Sequence, residues 1–278
     1  MKDLKPSIEK NDSIRPAIIG IPFDENSSFL RGAALAPPLI REAFRSPSSN
    51  MWSETGIYLG KDNLFFDAGD LEFSSSKSAL TEIESALSNL LEEGYAPISL
   101  GGDHSITYPI IRAFSRKFPR LDILHFDAHP DIYDEFEGNR LSHACPFARI
   151  MESGLAGRLV QVGIRTMSSH QREQVERFGV EVIEMRHWRD DLKLEFDSPL
   201  YISFDLDALD PAFSPGVSHR EPGGLSTRQA INLIQSVKAR VVGADIVEYN
   251  PRQDISDVTA MVSGRLMKEI TAKIINEV

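Results

Sequence analysis

The sequence predicts an α/β fold of three layers (α/β/α), with a central, mainly parallel β-sheet covered by helices on both faces. Eight short runs rich in β-branched and aromatic residues recur along the chain, separated by segments of helical periodicity. Alternation of this kind builds parallel strands joined by crossover helices. Several runs also end in clusters of aspartate and histidine, at the strand ends where open α/β sheets hold their ligands.

Taken in order, strands are expected over 17–21, 64–66, 97–100, 121–126, 159–163, 180–183, 200–204 and 241–247. Between them Leu80, Ile83, Leu87 and Leu90 repeat at helical spacing, as do Ile231, Ile234 and Val237 behind the cap Ser226. The closing stretch 256–278 reads as an amphipathic helix whose apolar side carries Val258, Met261, Val262, Leu266 and Ile270, facing the core or another subunit. Residues 1–15 are polar and of mixed charge, an N-terminal arm. The serine-rich stretch 73–78 is too short to separate domains, and no repeat or low-complexity linker interrupts the chain, so residues 1–278 are expected to form one domain. The turn-rich segment 210–224 directly follows an acidic motif and is expected to be an ordered loop at its rim.

With 278 residues, 41% of them hydrophobic, the chain can bury a substantial core. The formal charge of −11 argues against nucleic acid and anionic membrane surfaces as partners, and mildly favours a cationic substrate. Cys145 is the only cysteine, which excludes an intramolecular disulfide and suits a reducing compartment. With no run of membrane-spanning length and no signal-peptide core or Arg-rich presequence, the expected location is cytoplasmic. Gly101-Gly102 lacks the Lys and Ser/Thr of a phosphate-binding loop, so nucleotide binding is not expected.

The chemistry sits in three motifs: Gly101-Gly102-Asp103-His104-Ser105, Asp127-Ala128-His129-Pro130-Asp131 and Asp205-Leu206-Asp207. Residues two apart in an extended segment share a side, so Asp127 can aim with His129, and Asp205 with Asp207. Carboxylates gathered at the mouth of buried strands repel one another and lose hydration, a cost that bound cations remove. Singly, each would be a turn acid or a core histidine, and Asp103 and His125 are read as supports for their neighbours. Together they point to a dinuclear metal hydrolase. Cys145 beside His143 suggests a Cys/His nucleophile only weakly, because the cysteine begins an apolar helical stretch.

With these motifs, the chain resembles the ureohydrolases, the superfamily of arginase, agmatinase and related amidinohydrolases, from about residue 18 to the C-terminus. Stretches such as Asn26-Ser27-Ser28-Phe29-Leu30, Phe136-Glu137-Gly138-Asn139, Ser142-His143-Ala144 and Glu221-Pro222-Gly223-Gly224 look closest to the plant-type arginases. The animal-type loop that holds the substrate's amino-acid head is not recognisable between Ile132 and Ser142, and Ser218-His219 stands where many agmatinases carry Gly-Thr.

The resemblance implies an arginase-like fold and two divalent ions per subunit. His104 and Asp131 would belong to the first, His129 and Asp207 to the second, with Asp127 and Asp205 shared. Mn²⁺ suits this oxygen-rich donor set, which Ni²⁺, Co²⁺ or Fe²⁺ also fits. Glu248 would meet a guanidinium group, His143 would donate a proton to the departing amine, and Asp131 would accept one from the nucleophile. Asn139, Ser142 and His219 are the positions expected to read the substrate's far end. The implied reaction is hydrolysis of a small cationic guanidino compound to an amine and urea, with L-arginine first and agmatine, guanidinobutyrate or guanidine as competitors. The resemblance also implies a homo-oligomer, a trimer or hexamer. Other classes are a noncatalytic metal-binding relative, disfavoured by the presence of Glu248 and His143, and a two-metal hydrolase of an amide or formimino group.

Overall fold

The computed structural model describes residues 15–276. Among these, eight strands form one sheet: β1 (Arg15–Ile21), β2 (Phe66–Asp70), β3 (Tyr95–Gly101), β4 (Asp122–Phe126), β5 (Leu159–Ile164), β6 (Glu181–Glu184), β7 (Leu200–Asp205) and β8 (Val241–Val247). Their spatial order is β2-β1-β3-β8-β7-β4-β5-β6, and every pairing is parallel. Seven α-helices accompany them: α1 (Ala36–Phe44), α2 (Ala79–Glu92), α3 (Thr107–Lys117), α4 (Pro146–Glu152), α5 (Ser169–Phe178), α6 (Thr227–Ser236) and α7 (Val258–Asn276).

Strand parity divides the core into two layers. Ile98, Leu100, Leu124, Phe126, Ile202, Phe204, Ala244 and Ile246 pack with α1, α6 and α7 on one face. Their alternates Ile19, Ile21, Ile123, Tyr201 and Val247 pack with α2, α3 and α4 on the other. Ser226 caps α6 in a full capping box with Gln229, as its position ahead of the apolar repeat predicts.

All eight predicted strands are present, with one displaced. The run expected at 64–66 instead forms β2 over Phe66–Asp70, an edge strand of sequence FDAGD that is mostly exposed. Pairing with β1, rather than a buried face, makes it a strand. Of the expected N-terminal arm, residues 1–14 lie outside the described residues, and Arg15 opens β1. On α7, Leu266 and Ile270 are fully buried, while Val258, the first residue of the helix, is exposed beside the buried Thr259 and Ala260.

The strand order places the site. After β3 the chain skips past β8 and β7 to reach β4, so the C-terminal ends of β3, β8, β7 and β4 lie side by side where the connections diverge. Such a switch point opens a crevice beyond the sheet. His104, Glu248, Asp205 and Asp127 all fall there.

Candidate metal centre

The turn after β3 brings His104 inward. Gly102 permits it: a Cβ at this position would lie 1.7 Å from the backbone oxygen of Phe23, so only glycine fits. Asp103 is wholly buried and accepts from Ser105 N at 3.0 Å and Asn26 N at 2.9 Å, tying this turn to the loop after β1. Burial, reinforced by the nearby Glu248 charge, pushes its carboxyl up to about 6.

Two groups of donors converge beyond the strand ends, and Asp127 belongs to both. In the first, His104 Nδ1 lies 3.2 Å from Asp127 Oδ2, 3.0 Å from Asp131 Oδ2 and 3.2 Å from Asp205 Oδ2. In the second, His129 Nδ1 lies 3.3 Å from Asp127 Oδ1 and 3.1 Å from Asp207 Oδ2. Asp205 lies with the first group through Oδ2, while its Oδ1 accepts from Asp207 N at 2.8 Å. Both sets have their ligand atoms close enough together to hold a metal ion.

The donor set suits divalent cations. His104 Nδ1 is fully buried and makes no hydrogen bond, although three carboxylate oxygens face it. An orphaned nitrogen among anionic oxygens is the arrangement that a cation at their centre satisfies. The carboxylates repel each other as well: burial, then the charges of Asp207 and Asp127, raise Asp205 well above the usual range. Asp207 is raised by burial and by Asp127. Asp127 goes the other way, because the charge of His125, with His104 and His129 close by, outweighs its burial.

Glu248 faces this cluster from the end of β8. Its Oε1 accepts from His104 N at 2.9 Å and lies 3.0 Å from His143 Nδ1; its other oxygen has no protein donor among the described residues. Burial disfavours a charged His143, but the Glu248 hydrogen bond and charge, with Asp131 and Asp103 behind it, push the imidazole up to about 9. Glu248 at φ 63° and Asp131 at φ 46° both occupy the left-handed region that ordinary residues avoid. Strain of that kind persists only where surrounding structure enforces it, commonly at functional positions.

A cleft of about 370 Å³ opens over the cluster. His129, Asp131, His143, Asp205, Asp207, His219 and Glu248 line it, together with Ser28, Tyr133, Thr166, Met167, Ser168 and Gln171. The expected tail-reading positions therefore divide. His219 is on the wall, its ring 5.2 Å from that of His143 and 5.5 Å from Phe29. Asn139 and Ser142 are not: Asn139 binds Asn26 and Leu141 N, and the Ser142 hydroxyl accepts from Ala144 N, so both side chains hold the loops together. Cys145 is buried and its thiol is pushed up to about 12 by burial and by Asp131, which leaves no nucleophile.

Sequence reasoning missed three residues. Ser28 Oγ sits 2.8 Å from His143 Nε2. Arg165 donates to the backbone oxygens of Asp207, Ala208, Leu209 and Glu221, clamping the loop after β7. Gln161 holds His125, whose Nε2 reaches Asp127 Oδ2 at 2.8 Å. Each acts on a partner at least 36 residues away, and although Ser28 lies in a stretch that carries the family resemblance, nothing local gives its contact with His143.

Fold and site together define a class: an α/β protein with a metal-capable carboxylate–imidazole centre at the switch point of a parallel sheet. The chain belongs to the arginase family; the family model described as "Arginase family" matches residues 15–272. Its arginase relatives are hydrolases acting on guanidino C–N bonds. "Arginase 1, mitochondrial" of Arabidopsis thaliana is 49% identical over 276 residues, covering 93% of this chain and 80% of the relative. The solved arginase of Medicago truncatula has a TM-score of 0.89 and 44% identity, covering 94% of this chain and 88% of that one. An agmatinase of Bacillus anthracis is more distant, at 32% identity over 95% of this chain and 92% of the relative.

These relatives correct the cytoplasmic expectation. The similar plant arginases are described as mitochondrial or chloroplastic/mitochondrial, which points to an organelle. A lone cysteine reports a reducing environment, and organellar matrices share that property with the cytoplasm. No helix among the described residues is long and apolar enough to cross a membrane.

Proposed function

We propose that this chain is an arginase, hydrolysing L-arginine to L-ornithine and urea with two divalent ions, Mn²⁺ foremost. The observation that carries the reading is the pair of donor groups sharing Asp127, with the buried Glu248 lining the same cleft. His104, Asp127, Asp131 and Asp205 would hold the first ion, and Asp127, His129 and Asp207 the second. Bound there, such ions supply Lewis acidity and make water acidic enough to act as a nucleophile near neutral pH.

The chain's own groups do the rest. Glu248 already receives two donors on Oε1, which fixes its carboxylate and leaves the other oxygen for a guanidinium N–H. That contact sets the planar guanidinium carbon toward the carboxylate cluster. His143, kept charged by Glu248, holds a proton at Nε2 beside Ser28 and delivers it to the departing amine. Asp131, whose strained backbone turns its carboxylate toward His104, accepts the proton that water loses. The aromatic and hydroxyl groups of His219, Tyr133, Thr166 and Ser168 form the outer wall around the substrate's tail. The working form is proposed to be a homo-oligomer.

A urea-release assay on the Mn²⁺-loaded protein tests this with arginine, agmatine, guanidinobutyrate and guanidine compared side by side. Arginine should give the highest kcat/KM. Preference for agmatine would reassign the substrate, and no urea from any of the four would refute the reading.

A further inference from the structure

Five polar side chains run straight across the sheet beneath the cluster. Strand register pairs Ser99 with Asp245, Asp245 with Ser203, Ser203 with His125 and His125 with Gln161, and all five are fully buried. They share the face that otherwise packs apolar residues against α2, α3 and α4. Hydrogen bonds offset the cost of burying polar groups there; Ser99 Oγ and Gln161 Oε1 have no partner among the described residues, and the bonds the others make run toward the donor cluster.

Asp245 is the hub. Its Oδ1 accepts from Ser203 Oγ at 2.8 Å; its Oδ2 accepts from Thr107 Oγ1 and Tyr201 OH, each at 2.9 Å. Burial and the Asp245 charge raise the Tyr201 phenol well above its ordinary value, so it remains a donor. Ser203 spends its one hydrogen on Asp245 and has only acceptor capacity left for His104 Nε2, 3.1 Å away. The ring hydrogen of His104 must then sit on Nε2, which turns the Nδ1 lone pair toward Asp127, Asp131 and Asp205.

The other end of the stripe repeats the device. Gln161 Nε2 lies 2.7 Å from Pro130 O, which can only accept, so this atom is the amide nitrogen. It also lies 3.0 Å from His125 Nδ1, and donating there leaves His125 Nε2–H to bond Asp127 Oδ2.

We propose that Asp245 is a positioning residue for the first metal group, fixing the orientation and tautomer of His104 through the Ser203 hydroxyl. The proposal rests on reading the cluster as a metal centre and adds an anchor that lies outside it. Ser203 stands one bond behind the metal-binding imidazole and Asp245 two; loss of a partner directly behind such a ligand typically changes metal affinity roughly 10- to 100-fold.

The test is titration of metal-stripped, full-length protein with Mn²⁺ alone, following bound metal by mass spectrometry and ion–ion coupling by electron paramagnetic resonance. Wild type should take up two ions and show coupling. Ser203→Ala should weaken one ion roughly 10- to 100-fold and lose the coupled signal at limiting Mn²⁺. Asp245→Asn should do the same, because its amide must donate on one side and disturbs the hydroxyl chain. Thr107→Val removes a donor to Asp245 without touching the Ser203 link; it should lower thermal stability and keep wild-type Mn²⁺ affinity. Should Asp245→Asn fail to fold, Ser203→Ala against Thr107→Val decides the matter. Wild-type Mn²⁺ affinity in Ser203→Ala, with wild type itself binding two ions, would overturn this proposal alone. A wild-type protein that takes up no Mn²⁺ would overturn the metal-centre reading with it.

Discussion

Replacing Glu248 by Gln keeps the shape of the side chain and removes its charge, which isolates what holds the His143 proton. Burial works against a charged imidazole at this site, and the Glu248 bond and charge are the largest forces opposing it. From an ordinary value of 6.5 to about 9, at about 1.4 kcal/mol per unit, the net preference for the charged form is about 3 kcal/mol. The sign follows from the raised folded-state value. Stabilisation by the pair is fully present below about pH 6.5 and is lost as pH rises through about 9. In Glu248→Gln burial takes over, and the His143 midpoint should fall to its ordinary value or below. The assay is NMR titration of the His143 ring in chelator-treated protein, paired with urea unfolding of both proteins at pH 6, 8 and 10. The stability gap between them should be largest at pH 6 and shrink toward pH 10. An unchanged midpoint, or a gap that does not vary with pH, would refute the reasoning.

Three further outcomes are expected. Asp127→Ala removes the carboxylate common to both donor groups, so bound Mn²⁺ should drop below two per chain and turnover should vanish; two retained ions with activity would contradict the shared placement. His143→Ala should keep its metal content while kcat falls by roughly 10²- to 10⁴-fold, and an unchanged rate across pH would remove the proton-donor role. Gly102→Ala drives a methyl group into the Phe23 backbone oxygen and should cost about 3 kcal/mol or more in urea unfolding, or abolish folding; a wild-type midpoint would show that the turn can relax.

The strands were legible wherever burial imposed a pattern. β4 and β7 are wholly buried and mostly apolar because helices cover both sheet faces, and the Asp-x-His and Asp-x-Asp pairs at their ends follow from a two-residue period. β2 was legible only at its edge, since FDAGD pairs with β1 and buries little. His219 was found on the rim loop that follows β7. Asn139 and Ser142 do not line the cleft, and no period in an irregular loop fixes their direction: their side chains bond Asn26, Leu141 N and Ala144 N. Ser28 precedes His143 by 115 residues, and only the folded chain brings the two within 2.8 Å.

The amino-acid order alone determined the alternation of strands and helices and the placing of six metal-capable side chains just past strand ends, because periodicity and motif spacing are local properties of a chain. Tertiary structure decided which of those side chains meet. The β2-β1-β3-β8-β7-β4-β5-β6 order sets β3, β8, β7 and β4 side by side, and register aligns Asp245 with Ser203 beneath them. Strand order and register are relations between distant segments, fixed by how whole helices pack on a sheet, and no window of sequence contains them.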